Sequence, residues 1–128
     1  MWVVRREDVR EPFVGPNGDE FIYEMVGRPA ERGGTVHHSF VHVVIPPGKC
    51  SAAHFHKVTE ETYYILTGAA RLVIDGNERT LTAADAALIM PPQVHQIFNL
   101  SATEDLEFLA ISAPAFTPDD FHLVGDAG

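Results

Sequence analysis

Short apolar runs separated by turn-forming residues dominate the chain and predict an all-β protein. The runs are rich in valine, isoleucine, tyrosine and phenylalanine, which suit the pleated, half-buried surface of a sheet. No segment carries the apolar spacing of a long amphipathic helix. Strands are predicted at residues 21–26, 36–45, 63–66, 70–74, 78–81, 86–90, 94–99 and 106–112, with one more short strand from Trp2 to Val4. Many short strands divided by regular turns are typical of a sandwich or a barrel.

Turn signals mark the borders between these strands. Gly15 to Gly18 combines glycine, proline and asparagine, and Asp75-Gly76 is a dipeptide favoured in two-residue β-hairpins. Near the end of the chain, Thr117-Pro118 and the two aspartates that follow predict one helical turn with a threonine cap. Residues 125–128 are expected to fray.

Two histidines and a glutamate lie close together in the middle of the chain. His54 and His56 are two residues apart, so on a strand both side chains face the same side of the sheet. Glu61 opens the next β-rich run, and a short connection between the runs brings its carboxylate beside the imidazoles. Two imidazole nitrogens and a carboxylate oxygen form a ligand set for a divalent transition metal.

The spacing around these residues resembles the two motifs of the cupin superfamily. The first motif places a glycine, His-x-His, a glutamate and a second glycine at fixed distances. The positions that match it without a gap are Gly48, His54, His56, Glu61 and Gly68. The second motif is looser; His95 and Asn99 match it, whereas its glycine, proline and glycine positions carry Ala84, Met90 and Pro92.

The resemblance implies a double-stranded β-helix, or jelly-roll, cupin barrel. We expect one domain over residues 1–128, with the motif-bearing barrel at about 40–112, N-terminal strands at 2–36 and a C-terminal tail at 113–128. It also implies that His95 joins His54, His56 and Glu61 as a metal ligand, and that Asn99 secures a turn. The adjacent Glu60 should face solvent, because neighbouring residues on a strand point to opposite faces.

The function implied by the resemblance is a metal-dependent enzyme acting on a small organic molecule in the barrel. Dioxygenase-like, decarboxylase, isomerase and lyase chemistry all occur in such folds, so fold does not determine reaction. The alternative is a cupin that binds or senses a small ligand without converting it. The metal is left open between Fe, Mn, Ni and Zn.

Two further side chains are candidates for contact with the substrate. Tyr63 shares the face of Glu61, so its hydroxyl either donates to a substrate, with a catalytic role as an acid, or is satisfied within the core. His42 lies on the preceding strand, either lining the pocket or on the outer face. Cys50 is interpreted as a small buried hydrophobe rather than a soft metal ligand.

The composition and net charge of the chain argue against some classes of binding partner. The net charge of −9 argues against nucleic acid and against adhesion to anionic membranes. The single cysteine and the absence of a signal peptide or a long apolar stretch favour the cytoplasm. Cupins commonly pair through outer strands, so a homodimer is expected. Residues 2–4 either add to a partner's sheet or fold back on their own barrel.

Overall fold

The computed structural model describes residues 1–124, and these form an all-β fold. The strands are β1 (Phe13–Val14), β2 (Phe21–Val26), β3 (Ser39–Ile45), β4 (His54–Phe55), β5 (Glu60–Thr67), β6 (Ala70–Ile74), β7 (Asn77–Leu81), β8 (Ala86–Ile89), β9 (His95–Asn99), β10 (Leu106–Ala113) and β11 (His122–Leu123). Single-turn 3-10 helices lie at Arg6–Asp8, Ala30–Arg32 and Pro118–Asp120. No helix in this part of the chain is long and apolar enough to cross a membrane.

Two antiparallel sheets face each other. The six-stranded sheet has the order β1-β2-β3-β10-β5-β8, and the five-stranded sheet has the order β11-β4-β9-β6-β7. The chain passes repeatedly from one sheet to the other, for example between β5 and β6 and between β9 and β10. This arrangement confirms the predicted double-stranded β-helix, or jelly roll.

The β6–β7 hairpin shows how local chemistry sets the register. Asp75 and Gly76 both have positive φ, at 48° and 82°, as a type I′ turn requires. This turn matches the right-handed twist of its strands and pairs Ile74 with Asn77. Gly68 makes a second tight connection at φ 94°, where a Cβ would lie 3.0 Å from the carbonyl oxygen of Asp105. A side chain there would meet both backbone strain and a clash.

The inward-facing rows of the long strands change character along their length. On β10 the row runs from Leu106 and Phe108, both fully buried, to Ala110 and Ser112. Similar rows, from apolar to small or polar, are Ile45-Val43-Val41-Ser39 on β3, Ile65-Tyr63-Glu61 on β5 and Ile97-His95 on β9. The ladders align the rows, since Leu106 pairs with Ile45 and Ser112 pairs with Ser39. One end of the barrel is therefore a packed apolar core, and the other end holds small and polar side chains around an open space.

The largest differences from the predicted strands lie at the ends of the chain. Residues 2–4 do not form the predicted strand; the Trp2 indole lies against Gly33, 3.5 Å from where a Cβ would stand. The short strands β1 and β11 were not predicted, because two-residue strands carry too little pattern to be recognised. Residues 2–4 form no strand that could add to a partner's sheet, and the homodimer itself stays a prediction. The predicted fraying of residues 125–128 lies outside the described residues.

Candidate metal centre

Four side chains from three strand regions converge at the polar end of the barrel. His54 on β4 stands opposite His95 on β9, His56 follows β4 directly, and Glu61 is on β5 in the other sheet. One ligand atom from each side chain lies within 4.8 Å of the other three, and all four residues are buried. The structure thus brings together the four residues that the sequence analysis named as metal ligands.

Backbone carbonyls set the tautomer of every imidazole in this cluster. Nδ1 of His54 lies 2.9 Å from the Ala52 oxygen, and Nδ1 of His95 lies 3.0 Å from the Gln93 oxygen. Nδ1 of His56 lies 2.7 Å from the Asp120 oxygen. A carbonyl oxygen can only accept, so each Nδ1 carries the hydrogen and donates it. Each Nε2 therefore presents a lone pair to the centre of the cluster, which is the form that binds a metal.

The contacts at the centre of the cluster fit a bound cation. Oε1 of Glu61 lies 2.9 Å from Nε2 of His56 and 3.1 Å from Nε2 of His95. The Nε2 lone pairs of both histidines repel the Glu61 carboxylate unless a proton or a metal ion lies between the nitrogen and the oxygen. Nε2 of His56 is buried and, among the described residues, has no hydrogen-bond partner with acceptable geometry. The donor set of three imidazoles and one carboxylate suits a divalent transition metal.

Burial and the neighbouring charges shift the pKa values of the cluster in different directions. Burial lowers the pKa of His54 to about 4, with the neighbouring His95 adding to the effect, so His54 is neutral at physiological pH. Burial alone would raise the pKa of Glu61, but the imidazoles of His56 and His95 outweigh it and hold that pKa well below its usual range. For His56, burial is likewise outweighed by the Glu61 carboxylate, which raises the His56 pKa. Metal binding must displace protons from such a cluster, so affinity will fall in acid.

The C-terminal segment, residues 114–124, positions two of the histidines. The Asp120 carboxylate accepts hydrogen bonds from the backbone N–H groups of Lys57, Val58 and Thr59, at 2.7 to 3.2 Å. Its carbonyl oxygen accepts from His56 Nδ1, and the ring of the next residue, Phe121, stacks on His54 with centroids 4.7 Å apart. The predicted helical turn lies here, and the hydroxyl oxygen of its threonine cap accepts from the Asp119 N–H at 3.1 Å. Sequence analysis found the turn but not its contact with the site.

A cavity of about 700 Å³ opens beside the cluster. His54, His56 and Glu61 line it, together with side chains that are mostly apolar. The cluster therefore faces a space large enough for an organic molecule.

Tyr63 lies on the cavity wall, facing inward as predicted. Its side chain is 3% exposed, and its ring meets that of His95 edge-on at a centroid distance of 6.0 Å. Burial and the nearby carboxylates of Glu61 and Glu20 raise the Tyr63 pKa well above its usual value. The hydroxyl therefore stays protonated, and no hydrogen bond ties it to another residue in the described part of the chain. It is available as a donor to a ligand, and its role in substrate binding or acid catalysis stays a prediction.

His42 occupies the outer of its two predicted positions and is not among the side chains that line the cavity, so a role in binding substrate stays a prediction. The inward row of β3 is Ser39, Val41, Val43 and Ile45, and alternation turns His42 to the opposite face. There Nδ1 accepts from Arg6 Nε at 2.7 Å and Nε2 contacts Glu107 Oε1 at 2.8 Å. His42 therefore ties the N-terminal segment to the outside of the six-stranded sheet.

Three further residues named in the sequence, Glu60, Cys50 and Asn99, lie outside the metal cluster. Glu60 is exposed, as alternation predicted, and Cys50 is partly buried and outside the cluster. The amide nitrogen of Asn99 donates to three backbone carbonyls, and its oxygen accepts from Ser101 N–H. Asn99 thus secures the turn after β9, as expected.

Glu20 and Glu24 line the cavity, and sequence analysis overlooked both. Glu20 is 6% exposed, and burial, followed by repulsion from Glu61, raises its pKa to about 7. Its carboxylate accepts no hydrogen bond from any residue in the range 1–124. A signal was present in the sequence, because Glu20, just before β2, has the same alternation as Ile22 and Glu24 within that largely apolar strand. Arg28 also lines the cavity and donates twice to the carbonyl oxygen of Ala115.

The Glu61→Gln variant should lose metal affinity by at least about tenfold, because it removes the negative charge of the ligand set. Metal content after dialysis, measured by elemental analysis, checks this. The matched control is Glu60→Gln, which changes an exposed neighbour and should keep its metal. Equal losses in the two variants would mean that Glu61 is not the ligand.

The Asp120→Ala variant should weaken metal binding by about 10- to 100-fold while leaving the barrel folded, because it releases the loop between His56 and Glu61. Competition with a chromophoric chelator gives the affinity, and circular dichroism reports the fold. Asp119→Ala, at an exposed neighbour, is the control. Unchanged affinity for Asp120→Ala would show that this carboxylate does not position the site.

The Glu20→Gln variant should become more stable relative to wild type as pH rises. The folded protein holds the Glu20 proton up to about pH 7, whereas the unfolded chain releases it near 4.5, so ionisation opposes folding between these values. The gain should be on the order of 1–3 kcal/mol at about pH 8 and should vanish near pH 4. Denaturant unfolding of chelator-treated protein measures it. A gain in unfolding free energy that does not change with pH would mean that ionisation of Glu20 does not oppose folding.

Comparison with known proteins places the chain in a family. A family model described as a cupin domain matches residues 41–112, more than half of the chain. An uncharacterised protein of Methanocaldococcus jannaschii is 26% identical over 125 residues, which are 97% of each chain.

Two of the similar proteins that carry functional names are from Thermotoga maritima. The oxalate-binding protein of Thermotoga maritima is 35% identical over 72 residues, covering 56% of this chain and 59% of that protein. A solved structure from Thermotoga maritima, described as a predicted oxalate decarboxylase, is 26% identical with a TM-score of 0.74, covering 88% of this chain and 99% of that one. Because the region matched by the family model contains all four converging side chains and the strands that hold them, the chain belongs to the cupin family.

Proposed function

We propose that this cupin is a metal-dependent enzyme that converts a small organic molecule bound in the cavity. The observation that carries the proposal is the position of the cluster, because three of its four side chains line a cavity of about 700 Å³. A site that served structure alone would be closed off by protein groups, whereas a catalytic site faces the space that holds its substrate.

The residues around the cavity support a division of tasks. His54, His56, Glu61 and His95 would hold the ion, which would supply Lewis-acid or redox chemistry. The Ser112 hydroxyl donates to Oε2 of Glu61 at 3.3 Å and so orients the carboxylate. The Tyr63 hydroxyl would donate a hydrogen bond to the substrate or act as an acid. The apolar walls would exclude water from the reacting groups.

Several reaction types and metals are compatible with this arrangement. Fe or Mn would suit dioxygenase-like or decarboxylase chemistry, and Zn or Ni would suit isomerase or lyase chemistry. The predicted oxalate decarboxylase of Thermotoga maritima supports an enzymatic role. The expected cytoplasmic location rests on composition alone.

The alternative is a binding protein without catalysis. It is favoured by the name of one relative, the oxalate-binding protein of Thermotoga maritima. Such a protein would keep the same metal cluster and cavity but release its ligand unchanged. The two functions predict different outcomes in one assay.

We expect protein purified without added metal to retain a divalent transition metal and to convert one member of a substrate panel. The panel comprises small diketones, hydroxy acids and uronates, and the measurements are elemental analysis, oxygen uptake and product formation. Turnover that is lost with a chelator and in the His95→Ala variant supports the enzyme. Saturable binding without product supports the binding protein, and protein that never takes up metal would refute both.

A further inference from the structure

The walls of the cavity are mainly apolar, whereas a small dianion is bound by cationic and hydrogen-bonding groups. Its apolar lining includes Phe13, Val14, Ile22, Val41, Phe116 and Phe121. Cavities of several hundred Å³ with apolar walls hold ring-sized organic molecules, since burying the apolar surface of such a ligand is favourable. A molecule as small as oxalate would leave most of this space and most of these walls without contact.

The charged side chains of the cavity disfavour anions. Apart from Glu61 in the metal cluster, Glu20 and Glu24 line the cavity, and the cationic residue among the lining side chains is Arg28. Both Nε and Nη2 of Arg28 already donate to the Ala115 carbonyl oxygen, at 3.2 and 3.1 Å. A second negative charge brought next to Glu20 would either be repelled by its carboxylate or hold Glu20 in the protonated form, and each disfavours binding of the anion above the Glu20 pKa.

Glu20 is an acidic group on the cavity wall whose carboxyl is open to a partner from the ligand. It is almost fully buried, yet it accepts no hydrogen bond from the described residues. A Cβ on Gly15 would lie 2.8 Å from its Oε1, so the backbone of the β1–β2 hairpin holds the carboxyl closely on that side. A carboxyl that no protein group hydrogen-bonds is free to accept from a ligand in the cavity, and such a hydrogen bond adds to the free energy of binding.

Resting on the proposed function, we infer that the cavity takes an uncharged, largely apolar ring compound rather than a small dicarboxylate. One oxygen of this ligand faces the metal cluster, and a separate hydroxyl group hydrogen-bonds to Glu20. Glu20 is then a binding residue that selects the ligand by its charge and by this hydroxyl. The inference separates this chain from the oxalate named in the descriptions of its relatives.

Matched ligands test the inference by calorimetry, with no need for turnover. The probes are oxalate and two hydroxypyranones that are uncharged when free and lose the same ring hydroxyl proton when they bind a metal. Of these two, kojic acid carries a hydroxymethyl group and allomaltol has a methyl group in that place. Each is titrated into protein loaded with the ion found by elemental analysis. We expect kojic acid to bind more tightly than allomaltol by about fivefold and more tightly than oxalate by about tenfold or more.

Variants of Glu20 assign the selectivity. Glu20→Met keeps the side-chain volume but removes the acceptor and the charge, so kojic acid and allomaltol should bind equally and oxalate should bind about tenfold more tightly than to wild type. Glu20→Gln keeps an acceptor and should retain part of the preference for kojic acid. Glu60→Gln, outside the cavity, should bind all three probes as wild type does. Metal content is measured for every variant.

The outcomes separate the inference from the function beneath it. Metal-loaded wild type that prefers oxalate, or a kojic acid preference that survives in Glu20→Met, overturns the inference and leaves the proposed metal site standing. Protein that cannot be loaded with a divalent ion overturns the proposed function and the inference together. The expected order of affinities, lost in Glu20→Met at unchanged metal content, establishes the inference.

Discussion

The buried carboxylate of Glu61 is the group on which the site depends. A negative charge away from water is costly unless it is paired and hydrogen-bonded, and Glu61 meets His56, His95 and Ser112. The imidazoles are in turn held by backbone carbonyls that leave their Nε2 lone pairs pointing inward. When the imidazoles are neutral, the negative charge of the Glu61 carboxylate has no counter-charge in the cluster, and a divalent cation would supply it. The orientation of the imidazoles thus follows from the backbone around them.

The barrel separates the work of folding from the work of binding. The inward rows pack large apolar side chains such as Leu106 and Ile65 at one end, where they stabilise the two sheets through burial. Toward the other end the same rows shorten to Ala110 and Ser112, and this shortening opens the cavity. Because stability comes from one end, side chains at the other end can change with limited cost to the fold, which is why one barrel serves many reactions.

Two segments outside the family match complete the cavity. The β1–β2 hairpin contributes Glu20, and the C-terminal segment contributes Phe121 and the carbonyl of Asp120. Both lie beyond the matched residues 41–112, which supply the metal cluster. The common part of the fold therefore holds the ion, whereas the flanking parts shape the space in which a ligand meets it. Differences in ligand between cupins of similar core are expected to arise in such flanking segments.

The sequence by itself determined the elements whose signals are local. The apolar alternation predicted most strands, Asp75-Gly76 predicted a hairpin turn, and the spacing of His54, His56 and Glu61 predicted a shared site. What only the tertiary structure decided depends on contacts between distant residues. His42 lies on the outer face of β3. Alternation in the sequence defines the two faces of this strand but does not say which one is buried. The meeting of Asp120 with the loop after His56 spans more than sixty residues, and no local pattern encodes it. Glu20 continues the alternation of Ile22 and Glu24 just before β2, but its burial beside the cavity arises only when the two sheets close around it.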